Sequence, residues 1–463
     1  MPKLHPFRSI TAAAAIGLLL LHAPITASAA ERDDGTGTEH DDHGTPPAII
    51  PGTAGRLCES GIASGFPCRN VELLSRVPLE DLGGTFGNDV WGWSLSEASR
   101  AALGCPEPRE ARFALMGLSN GVAFVDVTVP EQARVRGFLP TVGDSSTWRD
   151  IKVYRDHAYI VADNNPEHAL QVFDLAQLLE PWEGAQPQQF EASYRYTEFG
   201  SAHNIAINED SGFAFVVGSD TCAGGLHMLD LTEPAVPAFA GCFDGDGYTH
   251  DVHCVTYSGP QEAFSGRELC FASNEDSLTI TDVSNKQAPV LISKLDYPNV
   301  AYTHQGWLSD DHRWFVLGDE LDELNTGANA RTLVFDVSNP GEPAFAGAHA
   351  GASNTIDHNL YLRGNYVFQA NYTAGLRILL AEDFGTARFR EVGYFDTAPE
   401  SEERQFRGAW SVYPFFDNGT ILVSDMQAGL FVLRAELAAA ENAPINGRLS
   451  GAYASPMLPD QGM

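Results

Sequence analysis

The chain has 463 residues, with 28 Lys and Arg against 61 Asp and Glu, and a formal net charge of −33. This acid excess argues against nucleic acids and anionic membrane surfaces as partners, because binding to both depends on Lys and Arg. Hydrophobic residues make up 44%, enough for a large core, and 44 Gly with 27 Pro indicate a turn-rich β protein. The length allows two or three ordinary domains or one large all-β domain.

Residues 1–29 have the pattern of a secretory signal peptide. Lys3 and Arg8 form a short basic start, and an apolar run follows over residues 12–21. The small residues ASA at 27–29 have the pattern of a cleavage site. The apolar run is too short to span a membrane, and no later segment approaches the required length. We therefore expect an exported protein, secreted or periplasmic, without a membrane span.

The segments at the two ends differ in composition from the body of the chain. Residues 30–56 are polar and rich in Gly and Pro, which is typical of a flexible acidic leader. Residues 437–463 form a C-terminal tail in which we find no hydrophobic segment and no sorting motif. The predicted folded body is therefore 57–436.

The body contains seven cysteines, and an oxidising compartment favours disulfides. Cys58 and Cys68 bracket a short Gly-rich loop and form the most readily accepted pair. The next predicted pairs are Cys222 with Cys242 and Cys254 with Cys270, which leaves Cys105 over. Metal binding by these cysteines is the weaker interpretation, since no CxxC spacing occurs.

One pattern recurs from about residue 88 onward. Its clearest element is a β-rich run ending in an acidic residue, and successive copies lie 44 to 56 residues apart. The clear copies are VAFVDV, LQVFDL, LHMLDL, LTITDV and TLVFDV, ending at or near Asp126, Asp174, Asp230, Asp282 and Asp336, and the degenerate copies are LRILLA and LFVLRA, around Leu380 and Arg434. Each copy follows two other alternating strands, and a fourth strand follows several of them.

Seven repeats of about 51 residues with four short strands each predict an all-β, seven-bladed β-propeller. The last copy has only three strands, and the segment VELLSRVPL at 71–79 precedes the first copy. We predict that 71–79 joins the last blade as its fourth strand, which closes the ring and removes exposed edges. Two stacked β domains are the alternative, but they leave the regular spacing unexplained.

The blade pattern also predicts one register. If His250 faces Asn274 on adjacent antiparallel strands of the fourth blade, then Cys254 faces Cys270. Directly opposite cysteines lie at a separation that a disulfide can bridge.

Polar residues recur where the first strand of each blade begins beside the end of the second. The first strands begin at Asn88, Arg149, His203, His250, His304, His358 and Trp410, and the second strands end at Asn120, Asp163, Asp220, Asn274, Asp319, Asn371 and Asp425. Because the first strand of a blade lines the central channel, we expect a ring of His, Asp and Asn at one mouth of that channel.

Four consecutive blades supply a histidine at this mouth, and imidazole beside carboxylates is a ligand set for zinc, copper or iron. The candidate ligands are His203, His250, His304 and His358. Asp251 and Asp319 are candidate partners, either as ligands or as groups that fix the imidazole tautomer. A metal-bound water there would serve a hydrolase or lyase. The alternative is structural, with each His bonded to the Asp or Asn of its own blade.

Two weaker signals complete the list. The acidic run GDELDEL at 318–324 is a candidate calcium site, with a solvated acidic loop as the alternative. Aromatic residues at the mouth, Trp91, Tyr302, Trp307 and Trp410, are candidates for stacking on a sugar or peptide. The cofactor expected, if there is one, is a divalent cation: Zn, Fe, Cu or Ca.

Long stretches resemble a known family. The copies VAFVDVTVPEQARVRGF and LTITDVSNKQAPVLISKL resemble LVIVD-type propeller repeats, and SAHNIAINEDSGFAFVVGSDTCAGGLHMLDL, GCFDGDGYTHDVHCV, YTHQGWLSDDHRWFVLGDELDE and DHNLYLRGNYVFQANYTAGLRIL resemble the bacterial choice-of-anchor B family over about 57–436. The resemblance implies an exported propeller, and members carry varied C-terminal surface anchors. This chain departs from the anchored members at its C-terminus, SGAYASPMLPDQGM, which favours release or periplasmic residence.

Two functions follow from these observations. One is a non-enzymatic binding module that presents a propeller face to a protein, peptide or glycan, favoured by the lack of a recognised catalytic motif. The other is a metal-dependent hydrolase or lyase that uses the His ring. The oligomeric state is left open.

Overall fold

The computed structural model describes residues 57–437 except 104–109, 183, 185 and 402, and all of these belong to one unit of the chain, Thr45–Met463. The predicted signal peptide and leader, Cys105 and the tail from residue 438 lie outside the described residues. Among the described residues, no helix is both long and apolar enough to cross a bilayer.

The strands follow one another in groups of four, which form the blades. The N-terminal segment has β1 (Ile62–Ala63), β2 (Phe66–Arg69), β3 (Val71–Val77) and helix α1 (Leu79–Leu82). Blade 1 has β4 (Gly87–Ser94), helix α2 (Glu97–Leu103), β5 (Arg112–Leu118), β6 (Gly121–Asp126) and β7 (Arg134–Pro140). Blade 2 has β8 (Arg149–Tyr154), β9 (His157–Ala162) and β10 (Leu170–Asp174); β11 (Gln188–Gln189) then adds to blade 1, and β12 (Tyr194–Tyr196) completes blade 2.

The remaining blades continue in the same order. Blade 3 has β13 (Asn204–Asn208), β14 (Phe213–Val217), β15 (Leu226–Asp230) and β16 (Ala238–Phe243). Blade 4 has β17 (Asp251–Thr256), β18 (Glu268–Ser273), β19 (Leu278–Asp282) and β20 (Val290–Leu295). Blade 5 has β21 (Thr303–Leu308), β22 (Trp314–Asp319), helix α3 (Asp322–Thr326), β23 (Arg331–Asp336) and β24 (Ala344–Ala350).

Blades 6 and 7 are the last two blades of the ring. Blade 6 has β25 (Leu360–Arg363), β26 (Tyr366–Ala370), β27 (Leu376–Asp383) and β28 (Arg388–Phe395), and blade 7 has β29 (Ala409–Tyr413), β30 (Thr420–Asp425) and β31 (Gly429–Ala435). Short 3₁₀ helices occupy Pro130–Gln132, Leu175–Leu179, Cys222–Gly224, Glu262–Phe264 and Phe384–Thr386. The predicted seven-bladed propeller is confirmed, with antiparallel blades whose first strands are innermost.

The apolar core lies between neighbouring blades. The second and third strands of a blade are buried along most of their length, because they are covered by a blade on each side. Aromatic rings from consecutive blades stack in these layers: the ring centroids of Phe124 and Phe173 are 4.6 Å apart, and those of Phe271 and Phe315 are 5.7 Å apart. The outermost strands are more exposed, as in β20.

The N-terminal segment closes the ring. Strand β3 pairs antiparallel with β31, so the predicted closing strand is confirmed and blade 7 has four strands. The preceding hairpin of β1 and β2 was not predicted, and it pairs through β2 with β28 of blade 6. The N-terminal segment therefore ties blades 6 and 7 together.

The three predicted cysteine pairs are disulfides in the structure. Cys58–Cys68 closes the β1–β2 hairpin, Cys222–Cys242 lies in blade 3, and Cys254–Cys270 joins β17 to β18. Cys254 and Cys270 are directly opposite, as the register predicted.

Some residues that directly follow a predicted ring residue in the sequence join the innermost strands of neighbouring blades through their side chains. Asp150 Oδ2 accepts the backbone N–H of Ile205 at 2.7 Å, and Gln305 Oε1 accepts that of Leu360 at 2.8 Å. Each pair crosses from one blade to the next, so these polar side chains hold the inner strands in register around the channel.

Candidate metal centre

The four histidines of the ring come together in a row. His203, His250, His304 and His358 each stand at or just before the start of an innermost strand, on blades 3 to 6. Successive ring centroids are 4.4, 4.3 and 4.4 Å apart. The innermost strands approach one another around the channel, so equivalent positions on adjacent blades bring their side chains into contact.

Backbone carbonyls from the next blade orient two of these rings. His250 Nδ1 lies 2.9 Å from the carbonyl oxygen of His304, and His358 Nδ1 lies 2.5 Å from that of Trp410. A carbonyl only accepts, so Nδ1 carries the proton and Nε2 keeps a lone pair. A histidine that donates through one nitrogen to a carbonyl and offers the other to an ion is the usual arrangement of a metal ligand.

A carboxylate and a hydroxyl complete the cluster. Glu320 follows β22, and its Oε2 lies 3.7 Å from His304 Nε2, while its Oε1 lies 3.7 Å from His358 Nε2. Tyr372 donates its hydroxyl to Glu320 Oε1 at 2.6 Å. Two atoms that each lie about 2.1 Å from a tetrahedral metal are about 3.4 Å apart, so these spacings are close to those of a metal site. One ligand atom each from His304, Glu320 and His358 lie within 4.8 Å of one another.

Burial keeps the histidines in the form that binds metal. It lowers the pKa of His250 and His304 well below the ordinary value, with neighbouring imidazoles acting in the same direction, and it lowers the pKa of His358 to about 3. Burial raises the pKa of Glu320 to about 7, while the hydrogen bond from Tyr372 opposes the rise. A cation between these groups would favour the charged carboxylate and the neutral imidazoles.

The tautomer-fixing role predicted for Asp251 is performed by other groups. His203 Nδ1 lies 2.9 Å from Asp163 Oδ2, a carboxylate of the preceding blade. Asp251 Oδ1 instead accepts the N–H of Val252 at 2.5 Å. The structural alternative, in which each His bonds to the Asp or Asn of its own blade, does not match the geometry either. The hydrogen-bond partners of His203, His250 and His358 come from a neighbouring blade.

Asp319 is likewise committed to structure. It is fully buried and accepts hydrogen bonds from the N–H groups of Ala301 and Tyr302 at 2.8 and 2.7 Å and from the Tyr297 hydroxyl at 2.9 Å. In the part of the chain that the structure describes, no His ring donates to it. Asp319 therefore shapes the loop before β21, and the adjacent Glu320 reaches the histidines.

Sequence reasoning did not assign Glu320 and Tyr372 to the His cluster. Both directly follow the residue at which a second strand was predicted to end, Glu320 after Asp319 and Tyr372 after Asn371. Reading the repeat one position further would have found them. Tyr372 has a backbone φ of 39°, which is rare for a bulky residue and is a recurrent feature of functional sites.

The cluster faces the central channel, which holds a cavity of about 1230 Å³. Trp91, Trp307 and Tyr361 line it farther along the innermost strands, and His253 stacks on Trp307 with centroids 3.7 Å apart. The four predicted mouth aromatics therefore divide into two pairs. Trp91 and Trp307 lie farther inside, whereas Tyr302 contacts His250 and Trp410 contacts His358, with centroids 5.3 and 4.7 Å apart. A small molecule in this cavity can reach the His cluster and aromatic walls together.

Comparisons with known proteins return one match to a repeat family and several distant solved structures. Residues 263–296 match the model of the LVIVD repeat family, and no curated protein matches the chain. Among solved structures, a protein from Lactobacillus plantarum is 12% identical, with 67% of this chain and 86% of that chain covered and a TM-score of 0.48. The beta-propeller domain of Myceliophteria thermophila Cps50 (Swd1) is 13% identical, with coverages of 70% and 94% and a TM-score of 0.42.

A hydrazine synthase from Kuenenia stuttgartiensis is 12% identical, with 71% of this chain and 93% of that chain covered and a TM-score of 0.48. With TM-scores below 0.5, these likenesses say nothing about the activity of this chain. The chain is a seven-bladed β-propeller that carries an LVIVD repeat in blade 4.

Proposed function

We propose that this protein is an exported propeller of the choice-of-anchor B type that binds a divalent transition metal at its channel mouth and acts on a small molecule as a metal-dependent hydrolase or lyase. The observation that carries the proposal is the approach of His304, Glu320 and His358, whose ligand atoms lie within 4.8 Å of one another. Three disulfides are compatible with a secreted or periplasmic protein.

The ligand set favours zinc. Two histidines and one glutamate are the protein ligands of several catalytic zinc sites, which keep a further position for water or substrate. Here His304, Glu320 and His358 all line the central cavity, so a zinc ion that they held would be within reach of water and of a molecule bound in the cavity, and it would polarise that water. Zinc is redox-inert, which suits an oxidising compartment better than ferrous iron.

The test is metal binding by the mature protein purified without a His tag. We expect about one equivalent of zinc by elemental analysis and a chelator-competition Kd that is raised roughly 100-fold or more by His304→Gln or Glu320→Gln, because each removes one of three ligands. His157→Gln is the matched control, since His157 lies in a hairpin of blade 2, where its Nδ1 contacts the carbonyl of Arg155. Equal zinc binding by all four proteins would contradict the proposal.

A second candidate is the metal-free binding module predicted from the sequence, for which the aromatic walls at Trp91 and Trp307 are the supporting observation. Glycan-array or peptide binding that survives chelation and the Glu320→Gln change would favour it. Binding or turnover that is lost with the metal would favour the metal-dependent enzyme.

A further inference from the structure

A cluster of acidic residues lies beside the candidate metal centre. Asp322 and Glu323 begin α3 on blade 5, and Asp357 stands three residues before β25 on blade 6. All three are buried, with 1% or less of their surface exposed. The sequence predicted an acidic run open to solvent or holding calcium, and it did not include Asp357.

The carboxylates of this cluster lack the hydrogen bonds that buried acids require. Among the described residues, five of their oxygens are buried without a hydrogen-bond partner: Asp322 Oδ1, Glu323 Oε1 and Oε2, and Asp357 Oδ1 and Oδ2. Burial of unpaired charge is costly, so such a group is expected to have a compensating ion.

The cluster has more acidic groups than basic groups around it, which also favours a cation. Arg331 contacts Asp322 through Nε and lies 3.7 Å from Asp319 Oδ2. With Glu323 and Asp357 included, four carboxyl groups stand beside one guanidinium. A divalent cation would neutralise the carboxylates that this guanidinium leaves unpaired.

The spacing also fits an ion. One oxygen each from Asp322, Glu323 and Asp357 lie within 4.8 Å of one another, and two oxygens on opposite sides of an ion bound at about 2.4 Å are about 4.8 Å apart. The Asp357 carboxylate packs closely on β22 at Gly318, where a Cβ atom would stand 2.2 Å from Asp357 Oδ2. A glycine at this position leaves room for the carboxylate.

We propose that Asp322, Glu323 and Asp357 bind a calcium ion that joins blade 5 to blade 6. All the ligand atoms are oxygens and two carboxylates are free to bind through both oxygens, which is the coordination that calcium prefers over zinc. The proposal is independent of zinc at the histidines, although the calcium site would also support the chain at Glu320 and His358.

The test is the melting temperature of the mature protein after EGTA treatment, with and without added CaCl₂. We expect Tm to rise by about 3 °C when free calcium exceeds its Kd a hundredfold. Glu323→Gln and Asp357→Asn should abolish the rise. The calcium-free Glu323→Gln protein should melt no lower than the calcium-free parent, because the change replaces a buried carboxyl group whose two oxygens have no hydrogen-bond partner among the described residues, whereas a purely structural role for Glu323 would lower its Tm.

Two further variants separate this site from the rest of the protein. Glu342→Gln removes an exposed carboxylate of the same blade and should keep the full calcium response. His304→Gln should also keep it, so loss of zinc binding and loss of calcium binding can be told apart. The proposal is overturned if calcium leaves the Tm of the parent unchanged, as for carboxylates held by shared protons, or if the response persists in Glu323→Gln and Asp357→Asn.

Discussion

At the scale of a single residue, Tyr372 shows how the backbone conformation shapes the candidate metal centre. Its hydroxyl is the hydrogen-bond donor to Glu320, and its positive φ directs the ring toward His358, with centroids 4.7 Å apart. Burial, together with the nearby Glu320 carboxylate, raises the pKa of Tyr372 well above its ordinary value, so the hydroxyl keeps its proton and remains a donor.

We expect Tyr372→Phe to weaken zinc binding about 10- to 100-fold, the usual effect of removing a group that orients a ligand. The ring and its packing are retained, so Tm should change little. Chelator competition measures the Kd. Tyr302→Phe is the control, because the Tyr302 hydroxyl donates to Glu275 at 3.0 Å and not to Glu320. An unchanged Kd in Tyr372→Phe would show that the hydroxyl has no part in orienting Glu320.

At the scale of elements, the strand that closes the ring should be the most sensitive part of the N-terminal segment. Leu73 of β3 is buried in the core shared by blades 6, 7 and 1, whereas Ile62 of the neighbouring hairpin is 47% exposed. We expect Leu73→Ala to lower the free energy of unfolding by about 2–5 kcal/mol and Ile62→Ala by about 0.5 kcal/mol or less. Urea unfolding measures both values, and equal effects would contradict the role of β3 as the closing strand.

Elements could be predicted where the repeat fixes them. The spacing of seven related strands, five of which end in an acidic residue, predicted seven blades. The predicted pairing of His250 with Asn274 placed Cys254 opposite Cys270. Strands β1, β2 and β11 have two to four residues and lie outside the repeat, so neither periodicity nor composition indicated them. Their positions depend on which sheet edges the closed ring leaves available.

The candidate site depends on the whole molecule. The repeat placed four histidines at one mouth of the channel, but their separation of 4.3 to 4.4 Å follows from the way seven blades close into a ring. The same closure brings Asp357 of blade 6 to Asp322 and Glu323 of blade 5. Sequence spacing gives each residue its place in its own blade, and contacts between blades need the tertiary structure.

The net charge of −33 now has a local interpretation at this scale. Part of it lies in carboxyl groups beside the channel, namely the partly buried Glu320 and the fully buried Glu323 and Asp357 of the two proposed cation sites. Other carboxylates hold the innermost strands together, as Asp150 does through Ile205. Acidic side chains therefore contribute to blade assembly and supply the ligands of the proposed cation sites.

The most direct test of the metal centre is anomalous diffraction from crystals of the untagged mature protein grown with one equivalent of zinc. Data collected above and below the zinc edge should show one strong peak about 2.0–2.2 Å from His304 Nε2, His358 Nε2 and a Glu320 oxygen. The absence of a peak at these residues, in crystals whose zinc content is confirmed by fluorescence, would contradict the account.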